Sequence, residues 1–183
     1  MDRRTLLKAL AALSVGKTAY AASPAKNMKD IEALQTNWKT FLPAGASVPS
    51  PKEPLTLTKD EWKKRLRPES FKVMREEGTE FAGSSPLNDE KRPGIFACAG
   101  CDLPLFTSEM KFDSGTGWPS FFTAIPGVFE TKKDHYLIYA RTEYHCARCG
   151  GHHGHLFDDG PKPTGLRYCN NGVALKFIPK QTA

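Results

Sequence analysis

The chain has 183 residues, enough for one domain with a hydrophobic core plus a tail or two. At 39% hydrophobic and 25% charged residues its composition is that of a globular protein, neither disordered nor membrane-spanning. The net charge of +6 invites a nucleic-acid partner, but half of it lies in residues 1–22, where Arg3, Arg4, Lys8 and Lys17 face only Asp2, so no polyanion partner is expected.

The first stretch, MDRRTLLKALAALSVGKTAYAASPAK, has a basic start, a short apolar run interrupted by Lys8, and small residues at Ala19-Tyr20-Ala21. That is the layout of a bacterial export signal over 1–22, cut after Ala21 or Ala22. A membrane anchor needs ~20 apolar residues, and a buried helix would have to hide Lys8. Arg3-Arg4 followed by Thr5-Leu6-Leu7-Lys8 resembles a twin-arginine signal, which carries folded proteins. The expectation is therefore a periplasmic protein with no membrane span in its mature form.

Ile31, Leu34, Trp38 and Phe41 recur at helical intervals, which predicts a short amphipathic helix over 28–41. LPAGASVPSPKEP, with prolines at 43, 49, 51 and 54, reads as an extended linker that closes an N-terminal segment at 23–56. Thr58 and Glu61 have capping-box spacing and predict a helix through Trp62 and Leu66. A second helix is predicted from Pro68 to Glu77, stopping at Gly78. From Gly94 onward, Gly, Pro and aromatic residues punctuate short β-prone runs at Gly94-Ile95-Phe96, Val128-Phe129, Tyr136–Tyr139 and Val173–Ile178. The expected fold is mainly β within an α+β frame, a small antiparallel sheet system preceded by short helices.

Two knuckles interrupt that system. Cys98-Ala-Gly-Cys101 and Cys146-Ala-Arg-Cys149 are both C-x-x-C, a spacing that lets both thiolates reach one tetrahedral ion at Zn–S distances of ~2.3 Å. Four thiolates close the shell, so one Zn²⁺ would staple the sheets and leave no position for water or substrate. Iron fits the same spacing, and C-x-x-C pairs also serve as redox disulfides. A redox pair, however, needs a βαβ setting, and these knuckles are flanked by Gly-rich turns.

The fifth cysteine stands in Arg167-Tyr-Cys169-Asn-Asn171. On a strand, Arg167, Cys169 and Asn171 would share one face, with the guanidinium favouring a thiolate and the amide positioning a bound group. A lone cysteine is as readily a small buried hydrophobe, and Asn171-Gly172 as readily a hairpin turn, so the segment alone supports either reading. Two other stretches favour the first. Gly151-His152-His153-Gly154-His155 concentrates three of five histidines beyond a metal shell already full, free for proton transfer. In Ser114-Gly-Thr-Gly-Trp118-Pro119, a tryptophan at a Gly-freed, Pro-stiffened turn is a candidate wall for a small apolar group.

KFDSGTGWPSFF, RTEYHCARCGGHHGHLFDDGP and TGLRYCNNGVALKF resemble the signature blocks of the methionine-R-sulfoxide reductases, the B-type family, and the paired knuckles resemble its zinc-containing form. The resemblance marks out a domain at 57–180. It implies a β-rich zinc fold and an oxidoreductase that reduces the R epimer of methionine sulfoxide in proteins or peptides, a repair of oxidative damage. On the matching positions, Cys169 would attack the sulfoxide sulfur and finish as a sulfenic acid. His155 and His152 would help protonate the departing oxygen, Trp118 would pack on the substrate methyl, Asn171 would hold the site, and Arg167 would favour the thiolate. Three positions depart from the family. Thr116 stands where many relatives place a resolving cysteine, which implies an outside reductant, thioredoxin-like or a small thiol. His153 replaces an aliphatic residue, and Asn170 replaces an isoleucine and should face away from the site. The alternative is a zinc-stapled binding module, which would need neither the fifth cysteine nor the histidine cluster.

Overall fold

The helices form where the sequence supplies their caps. In the computed structural model, which describes residues 25–43, 45–134 and 141–181, α1 spans Met28–Thr36. Asn27 accepts the backbone N–H groups of Lys29 and Asp30, and the Asp30 carboxylate takes the Asn27 N–H in return. The helix ends five residues before the predicted Phe41. At that end the Thr36 hydroxyl bonds back to the Glu32 carbonyl, and Thr36-Asn37 is a poor helix pair, so the chain tightens into a 3₁₀ turn over Asn37–Phe41. α2, Lys59–Arg65, starts on the predicted Thr58–Glu61 capping box. α3, Pro68–Glu76, starts on its proline and ends on a left-handed Glu77 at φ 53°, one residue before Gly78.

The strands are β1 (Gly94–Cys98), β2 (Pro104–Thr107), β3 (Lys111–Phe112), β4 (Ser120–Phe121), β5 (Phe129–Asp134), β6 (Arg141–Cys146), β7 (His152–Phe157), β8 (Arg167–Asn170) and β9 (Leu175–Pro179). They build a three-stranded sheet, β2-β1-β9, and a six-stranded sheet, β3-β4-β8-β7-β6-β5, with every pairing antiparallel. The fold is mainly antiparallel β with a few short helices, as composition and punctuation predict. The predicted strand at Tyr136–Tyr139 and the predicted export signal lie outside the described residues. Val173–Ile178 is not one strand: Gly172–Ala174 is a 3₁₀ turn and β9 begins at Leu175. The turn forms because the Glu80 carboxylate accepts the N–H groups of Gly172 at 2.6 Å and Val173 at 3.0 Å.

Phe96, Phe106, Met110, Phe121 and Tyr144 are fully buried between the sheets, with the Phe106 and Phe121 rings stacked at 3.9 Å. Trp62, Leu66, Phe71 and Met74 bring α2 and α3 onto that core. Residues 25–43 and 45–56 pack on the domain rather than trailing from it. Ile31 meets Phe112 and Phe122, Phe41 meets Ile95 and Ala97, and the Leu55 N–H donates to the Arg148 carbonyl. Among the described residues no helix is long and apolar enough to cross a membrane.

The register of the large sheet decides which side chains meet. Ser120, Cys169, His155 and Glu143 lie in one row across β4, β8, β7 and β6. Strict alternation would put His152 and Gly154 on one face of β7 and His153 and His155 on the other. A bulge breaks this: Tyr144 pairs with Gly154 but His145 pairs with His152, which leaves His153 as the extra residue. His153 therefore turns into the core, and the His152 and His155 rings meet edge to face at 5.6 Å.

Candidate active site and metal centre

The two knuckles close on each other. Cys98 Sγ lies 3.7 Å from Cys149 Sγ and Cys101 Sγ 3.5 Å from Cys146 Sγ, and all four buried sulfurs lie within 4.8 Å of one another. A disulfide would bring two sulfurs to about 2.0 Å, whereas four ligands at about 2.3 Å from a tetrahedral ion stand about 3.8 Å apart. The donor set fits a thiophilic ion in a closed shell. Arginines from the helices and the second knuckle secure the turns: Arg65 donates to Gly100 O, Arg75 to Cys149 O and Arg148 to Cys101 O. The four-cysteine cluster therefore ties α2 and α3 to both sheets.

Cys169 is the one half-buried thiol among five free cysteines. With His155, Trp118, Asn171, Thr79 and Phe157 it lines a cavity of about 190 Å³. His155 arrives as its direct cross-strand neighbour, and Ser120 stands on its other side. Trp118 is carried by a turn with positive φ at Gly115 and Gly117. A Cβ on Gly117 would sit 2.9 Å from Gly83 N, so the turn needs glycine to approach the 80–83 segment, where the Gly83 N–H donates to Gly117 O. Asn171 is buried, donates from Nδ2 to His153 O at 3.0 Å, and accepts the Glu80 N–H at 3.0 Å.

Against known proteins, residues 66–179 match the SelR domain family. That stretch covers more than half of the chain. The chain belongs to the SelR domain family. A peptide methionine sulfoxide reductase MsrB of Pseudomonas putida (strain W619) is 50% identical over 129 residues, 69% of this chain and 96% of the relative. One from Leptospira interrogans is 47% identical over 119 residues, 64% of this chain and 91% of the relative. The chloroplastic peptide methionine sulfoxide reductase B1 of Arabidopsis thaliana is 50% identical over 123 residues, 67% of this chain but 61% of that longer protein.

Within this SelR domain the structure alters two expectations. Arg167 was expected to hold Cys169 as a thiolate. Its guanidinium does reach the Cys169 sulfur, but it also clamps Asp159 in a bidentate pair at 2.7 and 2.8 Å and lies 4.3 Å over the Phe157 ring. Burial pushes the Cys169 thiol above its ordinary value; Arg167 and a hydrogen bond from Thr116 pull it down, but burial prevails. The resting group is a protonated thiol. His152, expected beside His155 as a proton donor, does not line the cavity. It is 1% exposed, behind His155, with Nδ1 3.0 Å from the Glu143 carboxylate, and burial drops its pKa to about 3.

The other departures from the family pattern also take definite places. Thr116 stands within hydrogen-bond reach of the Cys169 sulfur and continues through Ser114 to Ser120 at 2.8 Å per step. Asn170 faces the core, where its Oδ1 accepts from the Tyr144 hydroxyl at 2.9 Å and from His153 Nδ1 at 3.3 Å. Asn170 therefore faces away from the Cys169 side chain, although part of it reaches the cavity wall.

Sequence reasoning missed Glu80 altogether. Its N–H holds Asn171, its carbonyl accepts the Trp118 indole N–H at 3.3 Å, and its carboxylate caps the turn after Asn171. One residue thus sets two walls of the cavity. No local pattern announces it, because every partner lies 38 or more residues away.

Proposed function

We propose that this SelR domain reduces methionine sulfoxide to methionine, acting on the R epimer in oxidised proteins or peptides. The observation that carries the reading is the shared cavity of Cys169, His155, Trp118 and Asn171, built around the one thiol outside the metal cluster. The names of the relatives support the substrate class.

The Cys169 thiol loses its proton as it attacks, and His155, across the strand pair, is placed to pass a proton to the sulfoxide oxygen. The oxygen moves to Cys169, the S–O bond of the substrate breaks, and the thioether leaves. The substrate sulfur gains two electrons and Cys169 loses two, ending as a sulfenic acid. Trp118 offers an apolar face for the methyl group, and Asn171 offers an amide held rigid by Glu80 and His153. His152 acts from behind, fixing the His155 ring by edge-to-face contact rather than touching substrate.

Regeneration needs an outside thiol, since the other four sulfurs belong to the metal cluster and Thr116 brings a hydroxyl where a second thiol would have to stand. The first reductant thiol condenses with the sulfenic acid and releases water. A second displaces Cys169 from the mixed disulfide, leaving the reductant oxidised. A thioredoxin-like protein or a small thiol serves. Cys98, Cys101, Cys146 and Cys149 would hold one Zn²⁺, whose chemistry is structural because the four sulfurs fill its shell. The tail at 1–22 fits delivery to the periplasm as a folded, metal-loaded protein.

Turnover of each sulfoxide epimer, free and within a peptide, with a chemical thiol reductant tests the reading. Only the R epimer should be consumed, and Cys169→Ser should abolish the reaction while the chain keeps its metal and its fold. Equal turnover of both epimers, or turnover by Cys169→Ser, would refute it.

A further inference from the structure

Glu143, His145 and His152 form a second group of metal-binding character, outside the cysteine cluster and outside the cavity. Each offers one donor atom, and the three donors lie within 4.8 Å of one another. The Glu143 carboxylate stands at the centre, with Oε2 3.2 Å from His145 Nε2 and Oε1 3.0 Å from His152 Nδ1. Ligands bound at about 2.0–2.1 Å to a shared tetrahedral ion stand about 3.3 Å apart, the scale of these separations.

The hydrogen bonding is that of ligands waiting for a cation. His145 Nδ1 faces the Gly150 carbonyl at 3.4 Å, which leaves Nε2, 3.2 Å from the Glu143 carboxylate, as the nitrogen available to a metal. A backbone carbonyl fixing one ring nitrogen so that the other can ligate is the usual support of a metal-bound histidine. The second, independent observation is His152. It is 1% exposed, and neither ring nitrogen has a hydrogen-bond partner, although a carboxylate oxygen lies 3.0 Å from Nδ1. Buried imidazole nitrogens are ordinarily satisfied, so a bare Nδ1 aimed at the carboxylate of this cluster calls for a ligand there.

We propose that Glu143, His145 and His152 form a second metal site, distinct from the four-cysteine centre, which takes a divalent transition ion of the Zn²⁺ type. Two imidazoles and one carboxylate suit such an ion, whereas Mg²⁺ and Ca²⁺ want more oxygens. Three protein ligands leave a coordination position open, and the partial exposure of His145, 17% of its side chain, gives an entry path. An ion there would lock β6 to β7 across the bulge, behind His155.

The full chain, saturated with Zn²⁺ alone and dialysed, is analysed for metal by mass spectrometry and titrated calorimetrically. We expect two ions per chain in the wild type and one in both His145→Ala and Glu143→Gln. Co²⁺ replacing the second ion should give weak visible bands without sulfur charge transfer. Retention of the four-cysteine ion in the variants reports that they fold, and where His145→Ala does not fold, His145→Gln takes its place. A single ion in the wild type would overturn the proposal, as would a second ion that persists in both variants.

Discussion

Replacing His153 by Leu tests how a buried imidazole is tolerated behind the active site. His153 is 0% exposed, lies edge-on to Phe129 at 5.6 Å, and bonds Asn170 through Nδ1 while Nε2 has no partner. Burial drops its pKa from 6.5 to about 4. A histidine with a depressed folded-state pKa binds fewer protons than in the unfolded chain. Its neutral form is therefore fully accommodated above the unfolded pKa of 6.5, and stability falls as pH drops from there through about 4. By linkage this one residue should cost about 2 kcal/mol by about pH 5 and approach about 3 kcal/mol below the folded pKa.

At neutral pH the exchange should be small. Leu removes one long hydrogen bond and one buried unsatisfied nitrogen, and Asn170 keeps its bond from Tyr144, so the net change should stay within about 1 kcal/mol. Urea unfolding of both proteins near pH 8 and near pH 5, followed by tryptophan fluorescence, gives the difference directly. His152 carries a similar acid penalty but is present in both proteins, so it cancels in the comparison. If His153→Leu loses as much stability on acidification as the wild type, the reasoning about the buried ring is wrong.

Three further outcomes follow from the geometry. Mass spectrometry after one turnover without reductant should find a sulfenic acid on Cys169 in the wild type and a disulfide in Thr116→Cys, because Thr116 stands within reach of that sulfur; a wild-type internal disulfide would contradict the external-thiol route. With the Cys169 thiol raised by burial, the rate of Cys169 alkylation should climb with pH through a midpoint above the ordinary 9.0, and Asp159→Asn should move that midpoint down by removing a nearby anion and freeing Arg167 from its partner. Stripping the cysteine-bound ion with a strong chelator should unfold the chain cooperatively, monitored by circular dichroism, because the sulfurs join helices and both sheets; a folded, metal-free chain would refute the structural assignment.

Much of this was legible in the sequence because the signals were local. The Thr58–Glu61 box, the proline opening α3 and the two C-x-x-C knuckles each specify their structure within four residues. What sequence could not show was set by partners distant in the chain. The charge of Arg167 is shared with Asp159, so adjacency to Cys169 overstated its influence on the thiol. His152 looked equivalent to His155 because a bulge is invisible in the string HHGH, and Glu80 owes its importance to three contacts in other segments.

The two departures that look unrelated in sequence, His153 and Asn170, turn out to touch. Where the family pattern has two apolar side chains, this chain places an imidazole and an amide, and the Tyr144 hydroxyl completes the group. The Asn170 Nδ2 donates to the Asn171 carbonyl at 2.7 Å, which leaves Oδ1 to accept from the Tyr144 hydroxyl, kept protonated by burial. The amide therefore has one satisfied orientation. Asn170 lies between Cys169 and Asn171 in the chain, so that orientation also fixes the backbone that presents both to the cavity. Changing Asn170 alone would strand His153 Nδ1 and the Tyr144 hydroxyl, at a cost of about 1–3 kcal/mol, whereas changing His153 alone leaves Asn170 Oδ1 bonded to Tyr144. The pair should therefore behave as a unit: His153→Leu combined with Asn170→Ile should be more stable than the separate effects predict, with a coupling of about 0.5–3 kcal/mol in a double-mutant cycle. Strict additivity would mean that the contact between them carries no energy.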